Sequence, residues 1–324
     1  NRTVWEVSEK GPEWAPSFEL THVYDLTGAV TDEDDQIGSV VPDFTGRLWF
    51  VSDLGVVGTI APKSGKVASV RLPEDELIGN SFAIDETGGV FIASDHAMYR
   101  FDADASGAPV QTWRETYDRG SGLKPGQHAQ GTGTTPTLMG TKYVTITDNA
   151  DEYMNVLVYR REKTVEGERL VAKQPVFEAY KGCTENSLIA TDSSIVVENN
   201  FGYANVSATT RGLSTEPGIT RIDLDETGAP HVVWTSQERV PSVISKLSLA
   251  NGLVYSYTKD PGPNTTDAWY FTAIDFETGQ TVYKQLAGTG ICFDNHFAGV
   301  YLGPDSTAYV GVLGGIVSIR DTQP

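Results

Sequence analysis

The sequence predicts an all-β fold built from repeated antiparallel sheets, and three observations carry that reading. Short β-rich runs recur along the chain: Leu48-Trp-Phe-Val51, Val90-Phe-Ile92, Tyr143-Val-Thr-Ile146, Ile195-Val-Val197, Leu253-Val-Tyr255 and Ala308-Tyr-Val310. One turn type recurs between such runs: Asp43-Phe-Thr-Gly46, Asp85-Glu-Thr-Gly88, Asp225-Glu-Thr-Gly228 and Glu277-Thr-Gly279. Asp can bond its own backbone there and Gly accepts a positive φ, so each reads as a hairpin turn. No long helical period competes, and 33 Gly with 16 Pro fit a turn-rich chain.

A second repeat is sharper. Tyr99-Arg-Phe-Asp102 leads through Ser106-Gly107 to Trp113, Arg221-Ile-Asp223 through Thr227-Gly228 to Trp234, and Ala273-Ile-Asp275 through Thr278-Gly279 to Tyr283. The shared order is an apolar residue and Asp, then Thr or Ser with Gly, then an aromatic. It reads as the third and fourth strands of a four-stranded unit, with the aromatic wedged between units. The period of roughly 40–60 residues is that of a propeller. Blades then fall at 37–72, 79–113, 130–178, 184–236, 241–286 and 291–320. The last lacks a fourth strand, which the N-terminal segment (Thr3-Val-Trp5-Glu-Val7, or 18–24) is expected to supply. The prediction is one domain over residues 1–324: a six-bladed β-propeller closed by the N-terminal strand pairing in the last blade.

These repeats resemble those of the quinoprotein-like (PQQ-like repeat) propellers, the segment from Ala273 to Tyr283 above all. The resemblance implies the fold and not the cofactor. The full dehydrogenases are longer and carry a vicinal Cys pair beside the quinone, whereas Cys183 and Cys292 stand far apart, so PQQ is not expected.

The formal net charge of −19 sets nucleic acid and anionic membranes aside as partners. No stretch reaches the roughly 18–20 apolar residues of a membrane span. Acidity and a chain opening at Asn1 without Met fit a secreted or periplasmic protein whose signal has been removed. Glycosylation sequons begin at Asn1, Asn205 and Asn264. Cys183 and Cys292 occupy matching places two blades apart, farther than the roughly 7 Å a disulfide spans, and are expected as free buried thiols.

Loop length is expected to concentrate on one face: 114–135 with His128, 201–218, 259–268 and the smaller 148–155. Cys183-Thr-Glu-Asn186 and Cys292-Phe-Asp-Asn295 share one pattern, Cys-x-acid-Asn, at the start of an innermost strand. Both should face the axis on that same side. Asp35-Gln36, Asn80 and Gln130 occupy related places, with Lys246 near the fifth blade. Such an oxygen-rich ring suits hard cations, which take six to eight ligands at roughly 2.3–2.6 Å.

The layout is similar to the six-bladed gluconolactonase, paraoxonase and strictosidine-synthase-like propellers, of which the first two hold a divalent metal at the channel mouth. That resemblance implies Glu185, Asn186, Asp294 and Asn295, with Asn80, as ligands of a divalent cation, Ca²⁺ being the first choice. The same side chains could instead hydrogen-bond neighbouring blades, as buried amides must.

His128 and His296, near these carboxylates, are candidate general bases. Lys246 near the axis would neutralise Glu185 or Asp294, or meet an anionic substrate. Tyr143, Tyr203, Tyr255, Trp269 and Tyr270 line the mouth or fill the core. Walker, Gly-x-Ser-x-Gly and His-Glu-x-x-His motifs are missing. The expected function is a small-molecule enzyme at the channel mouth, a lactone or ester hydrolase or a lyase, assisted by a metal or a His–carboxylate pair. Its candidate catalytic residues are His128, His296, Glu185, Asp294 and Lys246. The alternative is a non-catalytic propeller that binds a ligand or protein on that face.

Overall fold

The structure is a computed structural model describing residues 2–321, so Asn1 of the first sequon lies outside the described residues. Two compact units make up the chain, one up to Tyr117 and one from Asp118. The first unit opens with a hairpin of β1 (Thr3–Lys10) and β2 (Ser17–Asp25). Two four-stranded antiparallel sheets follow: β3 (Ile37–Pro42), β4 (Leu48–Ser52), β5 (Val56–Ala61) and β6 (Lys66–Arg71), then β7 (Ala83–Ile84), β8 (Val90–Ala93), β9 (Ala97–Ala103) and β10 (Pro109–Thr116).

The second unit holds three more four-stranded sheets. They are β11 (Thr137–Met139), β12 (Tyr143–Thr147), β13 (Met154–Arg160) and β14 (Leu170–Val176); β15 (Ile189–Ala190), β16 (Ser194–Glu198), β17 (Ile219–Leu224) and β18 (Pro230–Ser236); and β19 (Lys246–Ser248), β20 (Leu253–Thr258), β21 (Ala268–Asp275) and β22 (Thr281–Thr289). A three-stranded sheet of β23 (Val300–Leu302), β24 (Thr307–Val312) and β25 (Gly315–Arg320) ends it. Within each sheet the strands follow chain order, so every connection is a local hairpin. Each predicted repeat overlaps one of these sheets, with β10 and β22 each running three residues past the predicted ends at 113 and 286.

The turn chemistry explains why these segments reverse where they do. Asp43, Asp85, Asp104 and Asp225 each accept, through Oδ1, the backbone N–H and hydroxyl of the Thr or Ser two residues on. The same oxygen accepts a further N–H four residues on. One carboxylate thus satisfies several turn donors at once. The repeated Asp of the third strands has a second use. Asp102 is bridged by Arg100 at 3.0 and 3.1 Å, and Asp223 by Arg221 at 2.8 Å through both nitrogens.

Burial follows the pleat and the layer. The middle strands β8 and β9 are buried on both faces, whereas β10 and β18 are largely exposed. Trp49, Val57, Ile92, Tyr99 and Phe101 build one core of the first unit. Val254, Tyr257, Trp269, Phe271 and Val300 build one of the second. Burying each large side chain contributes about 1.5–3 kcal/mol. Gly58 is required by packing, because a Cβ there would lie 2.1 Å from the Phe50 ring. Trp234 is the expected wedge: its Nε1 donates to Phe276 O of the following sheet at 2.8 Å, over Gly279.

Among the described residues β1 pairs along its length with β2 in the first unit, and the last sheet of the second unit has three strands. Gly11, at φ +88, and Pro12 make a local reversal, and a short loop closes at lower entropic cost than a pairing across the whole chain. Both cysteines are free as expected, but Cys292 is exposed, because it lies in a short 3-10 turn (Ile291–Phe293) ahead of β23 and not in the interior.

Candidate functional site

The candidate site is built within the second unit from three loops and the lead-in to its last sheet. Burial of Lys124 anchors the first loop: its Nζ donates to Ala150 O at 2.6 Å and Gly182 O at 3.2 Å. Burial lowers the lysine pKa, and the nearby carboxylates of Asp148, Asp151 and Asp118 oppose that fall only in part. Pro125 O accepts from Gly202 N at 2.8 Å and from the Cys183 thiol at 3.3 Å. Burial, aided by Glu185, pushes that thiol up to about 12, so it is a packing group and not a nucleophile. Four residues after Lys124, the loop presents His128, whose backbone N–H donates to Glu185 Oε1 at 3.3 Å. Burial pushes Glu185 up to about 7, opposed by that single N–H.

The second loop places two hydroxyls. Asn205 caps a 3-10 turn (Val206–Thr209) by accepting Ser207 N at 2.9 Å. Thr209 Oγ1 then donates to Asp294 Oδ2 at 2.6 Å, and Tyr203 OH donates to Asp294 Oδ1 at 2.8 Å. Asp294 also accepts the backbone N–H of His296 at 3.0 Å and is fully buried. Burial raises the Tyr203 pKa, and the Asp294 charge adds to it, so the phenol keeps its proton.

His296 Nδ1 stands 3.2 Å from Tyr203 OH. The phenol has one proton, and the Asp294 carboxylate takes it. The same oxygen therefore accepts from His296 Nδ1–H, which leaves Nε2 as the lone-pair nitrogen of an exposed imidazole. Phe297 closes the group, with its ring 5.0 Å from that of His128 and 5.4 Å from that of Tyr203. His296 and Phe297 both hold left-handed backbone, φ 40 and 67. Non-glycine residues adopt this at a cost that the surroundings must hold in place. Asp294 clamps one side, and Asn295 the other, accepting Ser242 Oγ at 3.0 Å and donating to Ala298 O at 2.9 Å.

His128, Asp294 and His296 are thus linked through Tyr203 and Phe297, and Glu185 joins them through the His128 N–H. Asn186 turns elsewhere. Its Nδ2 donates to Glu198 Oε2 at 2.8 Å and to Val243 O, while Ser245 N donates to Glu198 Oε1 at 3.1 Å. Burial pushes Glu198 up to about 7. Lys246 is exposed, and the carboxylate its charge acts on is Glu198. Asn80 lies in the first unit, half-buried ahead of β7. Trp269 is fully buried and stacked on Tyr257 in the core, so Tyr203 is the proposed mouth aromatic that reaches the cluster.

Of the cation ligands expected from the sequence, Asp294 and Asn295 make hydrogen bonds to neighbouring protein groups: both Asp294 oxygens and Asn295 Oδ1 accept them. Among the described residues no three His, Cys, Asp or Glu side chains converge as a metal site. The sequence pointed to Asp294, His296 and Glu185 through the Cys-x-acid-Asn pattern. It gave no signal for Thr209, Ser242 or Glu198, whose roles depend on loops meeting in space. Phe297 was legible only as the neighbour of His296.

No family model matches the chain. The chain is 27% identical to an uncharacterized protein of Archaeoglobus fulgidus, over 93% of its own length and 64% of that protein's, so it spans just under two thirds of this relative. Among solved structures it is similar to the Myceliophteria thermophila Cps50 (Swd1) β-propeller domain, with a TM-score of 0.55 and 10% identity over 94% of this chain and 87% of that one. A chain of the mitotic checkpoint complex gives a TM-score of 0.57 and 11% identity over 98% and 84%. A functionally unknown protein from Desulfotomaculum acetoxidans gives 0.50 and 12% over 99% and 83%. Likeness at such identities concerns the fold alone. Together with seven antiparallel sheets, it makes the chain an all-β protein of the β-propeller class.

Proposed function

We propose that the protein is a small-molecule enzyme of the hydrolase or lyase type, acting by general acid–base chemistry at His296 and Glu185. The observation that carries this reading is the Asp294–Tyr203–His296 chain, with links of 2.8 and 3.2 Å. With the Tyr203 proton on Asp294, it favours the Nδ1–H tautomer and leaves Nε2 of the exposed His296 as the base. Glu185, pushed up to about 7, supplies a carboxylic acid that is partly protonated near neutral pH. On a lactone or ester, His296 Nε2 would take a proton from water as its oxygen attacks the carbonyl carbon. The ring or ester C–O bond would then break, with Glu185 giving its proton to the departing alkoxide. Phe297 and the His128 ring form an apolar wall suited to the body of the substrate. In a lyase the same base would remove a C–H proton beside a carbonyl.

Turnover of a panel of lactones and aryl esters, followed by proton release, tests the reading. Wild-type turnover is expected to fall about 10²-fold or more in His296→Gln. In Glu185→Gln the loss of rate above pH about 7 should disappear, because the group that titrates there is gone. Absence of turnover across the panel would remove the hydrolase reading. A compound that raises the melting temperature without being consumed would favour the binding alternative.

A further inference from the structure

We propose that Lys259 and Asp267 form a buried pair that positions the base of the candidate site, acting through Thr209 on the Asp294–Tyr203–His296 chain. The inference rests on the role proposed for His296, and both residues act on it through others.

Lys259 follows β20 and has no solvent exposure. An ammonium without access to water needs partners. Its Nζ donates to Leu213 O at 2.5 Å and stands 3.3 Å from Asp267 Oδ1. The Asp267 carboxylate also accepts from Arg211 N at 3.0 Å and from Gly212 N at 2.7 Å. One ammonium and one carboxylate thus hold main-chain groups of three consecutive residues, 211–213. The two loops also meet backbone to backbone. Gly262 N donates to Gly212 O at 3.0 Å, and a Cβ on Gly212 would lie 2.3 Å from Gly262 O. Ser214 Oγ donates to Lys259 O. The loop that carries Tyr203 and Thr209 is therefore seated on the loop of residues 259–268 by polar contacts.

Asp267 has a second hold. Its carbonyl oxygen accepts Gly290 N at 2.7 Å, and Gly290 opens the short 3-10 turn (Ile291–Phe293) that ends at Asp294. Through its side chain Asp267 fastens the segment just after Thr209. Through its main chain it fastens the segment that leads to Asp294. The 2.6 Å bond from Thr209 Oγ1 to Asp294 Oδ2 is where the two segments meet.

A buried ion pair adds little net stability, because desolvating both charges offsets their attraction. What this pair supplies is a fixed geometry, and that geometry decides a proton. Held by Thr209 at Oδ2, Asp294 presents Oδ1 to Tyr203 and accepts the phenol proton. If residues 209–213 drift, the carboxylate is free to rotate, and Tyr203 OH can donate to His296 Nδ1 instead. The imidazole proton then belongs on Nε2, and the base is lost.

NMR of the whole chain with ¹⁵N-labelled histidine, without substrate and at about pH 8.5 where histidine is neutral, tests this. The chain has five His, and His296→Gln assigns the signal. In the wild type the His296 ring is expected to carry its proton on Nδ1. In Lys259→Met/Asp267→Asn, which removes both charges together, the proton should sit mainly on Nε2, as in an unconstrained imidazole. Asp267→Asn alone, nearly the same in size, should move the population in the same direction, and it answers the question should the double variant not fold. Variants that keep the Nδ1–H form would overturn the proposal whatever their melting temperature, since a pair that only braces the fold leaves the tautomer alone. An Nε2–H form in the wild type would remove the inference and the proposed base together. Turnover of the ester and lactone panel is a separate result: its absence would remove the enzyme reading and leave the coupling of the pair to the tautomer standing.

Discussion

Tyr203 shows how much one proton can decide. Its hydroxyl donates to Asp294, so the oxygen must face His296 as an acceptor. Tyr203→Phe would leave the imidazole free to take either tautomer. With a substrate in hand, kcat is expected to fall roughly tenfold or more while KM changes little, since the phenol positions the base and does not meet the substrate. Glu198 allows a separate test on stability. Burial raises it from its ordinary range to about 7, so the unfolded chain loses its proton first as pH rises. Folding stability is then greatest below the ordinary carboxyl value and declines as pH climbs toward about 7. Thermal melts between pH 5 and 8 should show this decline, and Glu198→Gln should flatten it. Asp294 and His296 were legible because acid, amide and imidazole sit together in three consecutive residues. Glu198 was not, because at the end of β16 it reads as an ordinary exposed strand terminus. Only the arrival of Asn186 and Ser245 from other segments encloses it and gives its oxygens their donors.

At the scale of elements, the hairpin divides into an anchor and a free part. Tyr24 is 4% exposed and packs with Leu26, Val30, Phe50, Val56 and Ile60, while its hydroxyl donates to Glu6 at 2.8 Å. Tyr24→Ala should cost about 3 kcal/mol in urea unfolding, within the range for losing a buried aromatic. Trp5→Ala, on the exposed face, should cost the folded monomer almost nothing. The strands, their turns and the aromatic wedge at Trp234 were readable because each has a local signature. The partner of β1 was not, since both strands of the hairpin present the same alternating pattern that any edge would accept. The loop of His128 depends on a cation in an interior place. Lys124→Met would remove its bonds to Ala150 O and Gly182 O, and limited proteolysis should then cut within 118–135 sooner than in the wild type.

For the whole molecule, acidity and repetition were plain in the sequence, and the fold class followed from the repetition. The metal ring was inferred from composition around an axis, and composition cannot show which lone pairs are already in use. Here hydroxyls and a backbone N–H donate to the oxygens of Asp294 and Asn295 and hold both side chains in place. Dialysis against EDTA is expected to leave the melting temperature unchanged. A fall of several degrees, restored by Ca²⁺, would show that these donors yield to a cation.

The Asp-centred turns carry a liability that comes from being copies of one another. Hydrogen bonds hold the Asp104, Asp225 and Asp275 carboxyls below their usual range, led in each by the Ser or Thr hydroxyl of the turn. Asp43 is lowered as well, its turn, Trp49 and Arg47 donors together outweighing its burial. Their contribution is present above the ordinary carboxyl value and fades as pH falls through the lowered one. Acid therefore loosens the same kind of fastening in several sheets. A chain assembled from one repeated stitch has no spare kind of stitch, and strong acid should undo it along its length at once.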